Sequence, residues 1–456
     1  MDTKQLRQKI LDLAIRGKLV PQDPNDEPAS VLLERVKAEK ERLIAEGKIK
    51  RSKKSAASSD KPHYADWDLP SGWVWVRLDE ICEIKGGKRI PRGMKLTDNV
   101  TSHIYIRVTD MKDCSVDMSG LKYITDEIYD FIRNYTISAN DLYITIAGSI
   151  GRVGEIPKEL HNANLTENAA KLTNIICDKK FLMYALLSDI AQSHFTSRFH
   201  QVAQPKLSIE TASCTLIPLP PLNEQARIVN EIDHLFATIK DIDKSTFELS
   251  SAISQVKSKI LELAINGKLV PQDPADEPAE ILLQRINPNA VVSTDTSHYQ
   301  HMPQGWCVCK LEDIVEYEQP QRYIVESTDY SDAYKMPVLT AGKSFVIGHT
   351  NETAGVFNNV PVIIFDDFTT DSKYVDFPFK VKSSAMKILH VKHGVNIKYI
   401  YYFMSITRLV GKTHKRYWIS EYSKLDIPLP PYNEQCRIVD AIERINNRID
   451  DIAEAL

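Results

Sequence analysis

The stretch that decides the fold of this chain begins with Ile217-Pro218-Leu219-Pro220-Pro221-Leu222-Asn223-Glu224-Gln225 and runs on to Ile286. The prolines hold the backbone extended, and Asn223 is a good N-cap residue. A helix is therefore predicted to begin there, with Glu224 in its first turn. From Ile228 to Leu263, apolar residues recur in alternating steps of four and three. Such a heptad seam predicts one long helix packed against a partner helix.

This stretch recurs in the chain, but its second copy is cut in two. Residues 427–442 repeat residues 217–232, and residues 9–36 repeat residues 259–286. The second pair shares the run Gly-Lys-Leu-Val-Pro-Gln-Asp-Pro, whose glycine is expected to end a helix in the left-handed conformation. The heptad seam at the C-terminus continues in register at the N-terminus. We therefore infer that the termini are adjacent, which gives pseudo-twofold symmetry and two antiparallel helical seams.

Length and composition narrow the class of protein. A chain of 456 residues with 43% hydrophobic content predicts two or three domains with sizeable cores. The sequence has no long apolar run and no basic-apolar leader, which predicts a soluble, cytoplasmic protein. Seven scattered cysteines match neither a disulfide framework nor a zinc-ligand spacing. The net charge of -4 argues mildly against a non-specific nucleic-acid coat, but local patches can differ from the whole.

Two variable units begin alike, with Pro-x-Gly-Trp at Pro70 and at Pro303. Each combines short β-rich runs with a helix near its end, which predicts an α+β fold. The two units show little sequence similarity between their shared edges. The predicted domains are an N-terminal helical half with a linker (1–61), a first variable unit (62–215), a central helical region (216–298), a second variable unit (299–426) and a C-terminal helical half (427–456).

These three paired motifs, Pro-Leu-Pro-Pro-x-Asn-Glu-Gln, Gly-Lys-Leu-Val-Pro-Gln-Asp-Pro and Pro-x-Gly-Trp, resemble those of the specificity (S) subunit of type I restriction-modification systems. The resemblance covers the whole chain. It implies two mixed α/β target recognition domains, separated by a long antiparallel two-helix coiled coil. Each domain would read one half of a bipartite site in double-stranded DNA.

The same resemblance implies protein partners. The helices would dock two methyltransferase (M) subunits, and restriction (R) subunits would join the full complex. S-adenosylmethionine and ATP would belong to those partners, so no cofactor, no metal and no catalytic residue is expected in this chain. No membrane association is expected either.

Candidate DNA contacts in the first unit lie in three segments and one isolated lysine. Lys85 to Lys95 contains five cations and no acid, with glycines that let the backbone approach a phosphate. Ile104 to Asp110 alternates like a half-buried strand, and residues 162–168 offer amide and hydroxyl groups suited to base edges. A solvated loop and a polar turn are the structural alternatives. The candidates are Lys88, Arg89, Arg92, Lys95, Arg107, Thr109, Asn164, Thr166, Asn168 and Lys206.

The second unit offers comparable residues in scattered polar segments. Cations alternate with aromatic residues in residues 414–418, which suits contacts to the DNA backbone and sugars. The candidates are Gln321, Arg322, Tyr323, Lys343, Thr369, Thr370, Lys382, Lys415 and Arg416.

Three segments invite a catalytic interpretation, and each has a stronger structural alternative. Leu429-Pro430-Pro431-Tyr432 lacks the polar first residue of an amino-methyltransferase site, so a helix lead-in is favoured. The glycines of residues 148–154 lack the spacing of a cofactor loop, so a tight turn is favoured. Asp366 and Asp367 could imitate a nuclease metal site, but such a pair after an apolar strand is more often a turn. The competing functions are a self-sufficient nuclease and a protein-binding adaptor.

Overall fold

A computed structural model describes residues 2–47, 67–196, 206–293, 302–340, 344–409 and 416–455. The chain divides into two compact units, Met1–Ser245 and Thr246–Leu456. The division falls within one long helix, Leu222–Ile265. The boundaries of the five predicted domains stay predictions.

The elements of the first unit follow the predicted order of helices, mixed unit and long helix. They are α1 (Thr3–Ile15), α2 (Ala29–Ala45), β1 (Val74–Arg77), α3 (Leu78–Ile81), β2 (Glu83–Gly86), β3 (His103–Ile106), β4 (Met111–Lys112), β5 (Ser115–Val116), β6 (Lys122–Ile124), α4 (Asp126–Ile132), β7 (Thr136–Ile137), β8 (Leu142–Thr145), β9 (Val153–Glu155), β10 (Ala163–Leu165), β11 (Ala169–Thr173), α5 (Lys179–Leu187), α6 (Asp189–Thr196), α7 (Ile209–Ser213), β12 (Leu216–Leu219) and α8 (Leu222–Ile265), whose second half belongs to the next unit.

The elements of the second unit repeat this order with fewer strands. They are α9 (Ala279–Ile286), β13 (Cys307–Lys310), α10 (Leu311–Ile314), β14 (Val315–Glu318), β15 (Met336–Leu339), β16 (Val346–Thr350), β17 (Val362–Asp366), β18 (Ser372–Val375), β19 (Lys380–Val381), β20 (Met386–Val391), α11 (Ile397–Ile406), α12 (Tyr417–Ser420), β21 (Asp426–Leu429) and α13 (Tyr432–Ala455).

The two mixed units share one sheet topology, apart from the extra strand β7 and the β4–β5 ribbon of the first, although their sequences show little similarity. The first contains sheets β6-β3-β10-β7 and β2-β11-β8-β9, and the second contains β16-β15-β19 and β14-β20-β17-β18. In each, one parallel pair occurs, β3 with β10 and β15 with β19. The predicted mixed α/β class is confirmed, and so is the long helix.

The proline-rich lead-ins are strands that close each mixed unit. β12 pairs antiparallel with β1, which carries the start of the first unit, and β21 pairs in the same way with β13. Prolines are tolerated in such two-stranded ribbons because one side of each strand needs no ladder hydrogen bond. The first and last strands of each mixed unit are therefore hydrogen-bonded to each other.

The long helix begins and ends through local backbone chemistry. It starts at Leu222, so the prediction that Asn223 is its N-cap is wrong: Asn223 lies inside the helix and donates to Asp26 at 3.1 Å. Its end is as predicted, since Gly267 adopts φ +65° and the Lys268 N–H donates to the Leu263 carbonyl at 2.8 Å. Glycine reaches this left-handed conformation without a Cβ clash.

The start of each long helix holds a buried carboxylate that joins three segments. We call it the glutamate junction: Glu224 with Trp73 and Gln22 in the first unit, and Glu434 with Trp306 and Gln272 in the second. The indole Nε1 donates to the carboxylate at 3.0 Å in both units. The glutamine Nε2 donates at 3.2 Å in the first and at 3.0 Å in the second.

Burial sets the electrostatics of this junction. Both glutamates are 1% exposed, and burial raises the pKa of each carboxyl, while the hydrogen bonds from glutamine and tryptophan oppose that rise. A buried carboxylate without such donors would cost several kcal/mol in desolvation, on the order of the penalty for other buried ions. The three paired sequence motifs thus meet at one point in each unit.

The neighbouring glutamine extends the junction into the mixed unit. Gln225 accepts from the Asp178 N–H at 2.8 Å and donates to the Pro220 carbonyl at 2.8 Å. Gln435 makes the same pair of bonds, with the Asn396 N–H and the Pro430 carbonyl. The bonds from the Asp178 and Asn396 N–H groups fix the N-terminal ends of α5 and α11 to the starts of the long helices.

The seams of the long helices pack within each unit. Arg7 on α1 pairs with Asp243 at 2.9 Å and lies over the Phe236 ring. In the second unit, Lys257 on α8 pairs with Asp450 on α13 at 2.6 Å. The pairing of the two seams across the units, the pseudo-twofold symmetry and the adjacent termini concern the arrangement of the two units and stay predictions.

Substituting the indole of the junction tests its contribution to stability. Trp73→Phe keeps most of the apolar volume but removes the Nε1–H that satisfies Glu224. We expect the free energy of unfolding in urea to fall by about 1–3 kcal/mol, the usual cost of leaving a buried polar group without a partner. Trp306→Phe should have a similar effect. Trp75→Phe, which removes an indole outside the junction, is the control, and an equal loss for Trp73→Phe and Trp75→Phe would contradict this account.

Candidate nucleic-acid interface

Four loops of the first unit converge because the strands that precede them, β3 and β10 in one sheet and β2 and β8 in the other, end on the same side of the unit. β3 and β10 run parallel, with Ile106 opposite Leu165. β2 and β8 both run antiparallel to β11, so their last residues, Gly86 and Thr145, lie opposite the first residues of β11. We call this the loop edge of the first unit: residues 87–96, 107–110, 146–151 and 166–168.

Gly87 fixes the basic loop against the turn that follows β10. Its N–H donates to the Ala169 carbonyl at 2.9 Å, and the next N–H, of Lys88, donates to the Leu165 carbonyl at 2.8 Å. A Cβ at this position would lie 2.1 Å from the Thr166 carbonyl oxygen. Only glycine permits so close an approach. The basic loop is therefore held beside the polar turn.

Between these loops lies a cavity of about 720 Å³. Its lining combines cations, polar groups and apolar side chains: Arg89, Ile90, Pro91, Arg92, Gly93, Met94, Leu96, Tyr105, Arg107, Val108, Thr109, Thr166, Glu167 and Asn168. Three segments that are separate in the sequence, the basic loop, residues 107–109 and the polar turn, thus share one concave surface. Six of the ten candidates named for this unit line it.

The cations of the basic loop point to solvent. Lys88, Arg89, Arg92 and Lys95 are all exposed, and Lys88 lies over the Tyr135 ring at 5.6 Å. Arg89 pairs with Glu167 at 2.6 Å, whereas Arg92 and Lys95 make no ion pair within the described part of the chain. Exposed, unpaired cations are the groups that bind phosphates.

The strand predicted over residues 104–110 is shorter than expected. It ends at Ile106, because Arg107 turns back on Asp110 with a bidentate ion pair of 2.6 and 3.0 Å, and residues 108–110 form a 3-10 turn. Tyr105 is buried, and burial raises the pKa of its hydroxyl to about 12. The strand predicted beyond Ile106 is therefore wrong, although Tyr105, Arg107 and Thr109 all line the cavity.

Two candidates of the polar turn are placed differently from the prediction. Asn164 is 1% exposed, and its side chain donates to the Ile132 carbonyl at 2.9 Å. All three residues of β10 are buried, and the Asn164 side chain reaches the end of α4, so the prediction that Asn164 reads a base edge is wrong. Thr166 is also buried but lines the cavity, with its hydroxyl donating to Glu167 at 3.1 Å. Asn168 lines the cavity as well.

The second unit has an equivalent loop edge, identified by matching hydrogen bonds. The Thr166 N–H donates to the Ile106 carbonyl at 3.2 Å, and the Lys382 N–H donates to the Leu339 carbonyl at the same distance. Residues 382–385 therefore correspond to the polar turn of the first unit. The described residues of the loop edge of the second unit are 319–325, 340, 344–345, 367–371 and 382–385, which follow β14, β15, β17 and β19.

The isolated lysine of the first unit and the last cation of the second are also equivalent. Lys206 precedes Leu207, whose N–H donates to the Ile146 carbonyl at 2.8 Å. Arg416 precedes Tyr417, whose N–H donates to the Asp367 carbonyl at 2.9 Å. Both cations are exposed and lie beside equivalent loops, the one that follows β8 in the first unit and the one that follows β17 in the second.

Most remaining candidates of the second unit lie on its loop edge. Gln321 and Arg322 are exposed on the 3-10 turn after β14, while Tyr323 donates to Glu318 at 2.7 Å. Thr369 and Lys382 are exposed. Thr370 is 1% exposed and accepts from the Leu409 N–H at 3.3 Å, so it serves the interior of the turn and not the surface. Lys343 and Lys415 lie outside the described residues.

The carboxylates considered for nuclease chemistry are engaged in the structure of a turn. Asp366 accepts from the Phe368 and Thr369 N–H groups, both at 2.9 Å. Asp367 accepts from the Trp418 N–H at 2.8 Å and pairs with buried Lys387 at 3.3 Å. Within the described ranges, no group of three or more His, Cys, Asp and Glu residues is placed to hold a metal ion. The favoured turn interpretation is confirmed.

The other two segments with a catalytic alternative also have structural roles. Residues 148–151 form a tight turn between β8 and β9, in which Gly148 and Gly151 adopt positive φ. Leu429 ends strand β21, and Tyr432 begins helix α13. In the part of the chain that is described, no helix is long and apolar enough to cross a membrane.

One acidic residue of the loop edge was not among the sequence candidates. Glu167 lines the cavity and accepts from Arg89 and from Thr166. Its signal in the sequence was an acid within a polar turn, which is more often a solvent-exposed feature. Only the hydrogen bonds that bring the basic loop beside this turn show that Glu167 belongs to the same surface as the cations.

Comparison with known proteins identifies the family. The family described as "Type I restriction modification DNA specificity domain" matches residues 70–248 and 303–456. The chain therefore belongs to this family, and the resemblance seen in the sequence motifs is confirmed. Each matched segment includes a mixed unit, followed by part of α8 in the first and by α13 in the second.

Individual relatives agree with this assignment. The EcoR124I/EcoR124II type I restriction enzyme specificity subunit of Escherichia coli is 50% identical over 126 residues, which are 26% of this chain and 31% of the relative. The Escherichia coli EcoEI specificity subunit is 30% identical over 383 residues, which are 68% of this chain and 62% of the relative. The chain thus spans less than two thirds of the length of these relatives.

A solved structure supports the fold. The chain described under "Structural basis underlying complex assembly and conformational transition of the type I R-M system" has a TM-score of 0.56. It is 17% identical, and the match covers 85% of this chain and 94% of the other. At that identity the likeness concerns the fold alone.

Removing cations from the loop edge tests whether it contacts phosphates. Lys88→Ala, Arg92→Ala and Lys95→Ala, combined, should weaken binding of the assembled complex to all duplex DNA. The logarithm of the binding constant should depend less steeply on the logarithm of salt concentration, by up to about 0.9 for each lost phosphate contact. Lys158→Ala is the control, because this exposed lysine precedes β10 and so lies away from the edge where β10 ends. An unchanged salt slope in the triple variant would assign the loop to solvent.

Proposed function

We propose that this chain is the DNA-reading specificity subunit of a type I restriction-modification complex. Each mixed unit acts as a target recognition domain and reads one half of a bipartite site in double-stranded DNA. The observation that carries the proposal is the equivalent loop edge in the two units, each lined by exposed cations and polar groups. Two separate surfaces of the same construction suit two half-sites.

The candidates fall into two roles within this proposal. Exposed cations at the rim, such as Arg92, Lys95, Arg322, Lys206 and Arg416, bind phosphates and set the register of the duplex. Residues of the polar turns and of the cavity between the loops face the base edges in the major groove. Asn164 and Thr370 are left out, because their side chains are buried and hydrogen-bonded to the backbone.

Equivalent exposed apolar residues suggest how protein partners bind. Leu222 and Tyr432 begin the two long helices and are 51% and 46% exposed. Val31 and Ile281, on the equivalent helices α2 and α9, are 38% and 52% exposed. Exposed apolar side chains at matching positions are typical of a binding surface that is used twice.

The proposed occupants of these two surfaces are two methyltransferase subunits, one on each unit. Restriction subunits join the complex thus formed. In this proposal the present chain carries no catalytic group, and it acts in the cytoplasm, where its DNA target lies. The turn carboxylates that a nuclease would need have structural partners, which argues against the self-sufficient enzyme. The cationic loop edges favour DNA over a purely protein-binding adaptor.

Single substitutions on each surface test the number of partners. Leu222→Asp or Tyr432→Asp places a charge where an apolar contact is expected, so either variant should retain one of two methyltransferase subunits. The double variant should retain none, and methylation of the bipartite target in cells should be lost. Native mass spectrometry of the purified complex gives the stoichiometry. Phe131→Asp, a change at an exposed apolar residue of α4, is the control, and two retained subunits in the double variant would contradict the proposed surfaces.

A further inference from the structure

We propose that Glu167 is a specificity-determining residue of the first recognition domain. Its carboxylate accepts a hydrogen bond from the exocyclic amino group of one base, the N4 amine of cytosine or the N6 amine of adenine. This inference rests on the proposed function, since it names the chemistry that one loop edge reads. The groups that can supply such a bond in the major groove are limited to these two amines.

Several protein contacts fix the position of the Glu167 side chain. It lies in the three-residue turn between β10 and β11 and lines the cavity of the loop edge. Arg89 Nε donates to Oε1 at 2.6 Å, Thr166 Oγ1 donates to Oε2 at 3.1 Å, and the Tyr105 hydroxyl lies 3.4 Å from Oε2. The side chain is 25% exposed. The carboxylate is thus oriented by protein donors while part of it still faces the cavity.

Glu167 retains room for a further donor. An ionised carboxylate offers about four lone-pair directions. Arg89, Thr166 and the backbone N–H of Glu167 itself occupy up to three of them, and the Tyr105 hydroxyl donates its proton to the Lys88 carbonyl at 2.9 Å, so at least one direction stays open. Burial acts to raise the pKa of the Glu167 carboxyl, but hydrogen bonds from Arg89, from the backbone N–H of Glu167 and from Thr166 together outweigh burial and lower that pKa. The group is therefore an acceptor without a proton to donate, and it suits an amine but not a carbonyl.

A carboxylate on a DNA-binding surface lowers the affinity for DNA, so its presence there needs an explanation. It repels phosphates on a surface that otherwise attracts them, so it weakens sequence-independent affinity. It also rejects base edges that present only acceptors, such as guanine O6 and N7 or thymine O4, because two acceptors without a proton between them repel. Arg89, whose side chain is 76% exposed, can move to a phosphate when an amine takes its place.

The second unit lacks this carboxylate at the equivalent turn. Its residues are Lys382-Ser383-Ser384-Ala385, and Lys382 occupies the position that Thr166 has in the first unit. One turn therefore presents an acceptor and the other presents donors. The two half-sites should accordingly differ in the base that each turn faces.

The alternative explanation is that Glu167 only neutralises the charge of Arg89. In that case its replacement would raise affinity for every duplex and leave the preference among bases unchanged. Specificity at a single base pair separates the two explanations, because a purely structural ion pair has no reason to alter it.

The test is selection of bound sequences from random duplex DNA by the complete complex, for wild type and for Glu167→Gln. Glutamine keeps the size of the side chain but can also donate, so it tolerates an acceptor on the base. The preference for the amine-bearing base should fall by roughly 5-fold to 150-fold at one base pair of one half-site. Glu167→Asp, which keeps the charge but withdraws it, should weaken the preference at the same base pair. Equal thermal unfolding of the variants confirms that the fold is intact.

Two controls make the outcome decisive. Lys382→Gln should alter only the other half-site, and Lys158→Gln should alter neither. A Glu167→Gln complex that selects the wild-type motif at every base pair overturns the inference and leaves the proposed function standing. A wild-type complex that selects no bipartite motif overturns the proposed function itself.

Discussion

Each half of this protein depends on one buried carboxylate, Glu224 in the first unit and Glu434 in the second. Removing a carboxylate from water is costly, so its position is favourable only while the indole and the glutamine amide donate to it. Those two donors come from different segments, the start of the mixed unit and the turn after a preceding helix. Three motifs that are remote in sequence must therefore come together before any of them is satisfied.

The glutamate junction attaches each mixed unit to its long helix at a place separate from the loop edge. The two-stranded ribbons β1–β12 and β13–β21 close each mixed unit beside its junction, and Gln225 and Gln435 hold the same end of the unit. The loop edges make none of these bonds. Side chains of the loops can therefore change the chemistry presented to DNA without altering how the recognition unit is attached to the long helix.

The sequence predicted the structure correctly where a local pattern is compatible with only one backbone conformation. The heptad seam predicted the long helix, and the glycine of the Gly-Lys-Leu run predicted its end, because few other residues adopt that conformation. The paired motifs predicted two mixed units but not their common topology. That topology is carried by backbone hydrogen bonds, such as those of Thr166 and Lys382, which place little constraint on side-chain type.

The site was predicted less well for related reasons. The basic loop could be recognised from its charge alone. That it lies beside the polar turn could not be predicted from the sequence, because this depends on the close approach of Gly87 to the Thr166 carbonyl. Asn164 was misassigned because every residue of β10 is buried, so the amide meets the end of α4 and not solvent, and the extent of that strand was not known from the sequence. Glu167 lay in the segment proposed to read base edges but was not chosen as a candidate, because its role depends on Arg89, which is remote in sequence.

Hydrogen exchange of the complete complex, with and without duplex DNA that contains its target, tests the shared loop edge most directly. The account predicts slower backbone exchange on DNA binding in residues 87–96 and 166–168 of the first unit and in residues 319–325 and 382–385 of the second. Residues 158–162, which precede β10, should exchange as before. Protection confined to one unit, or located at residues 158–162 and not at the loop edges, would contradict the claim that both units read DNA through the same edge of one fold.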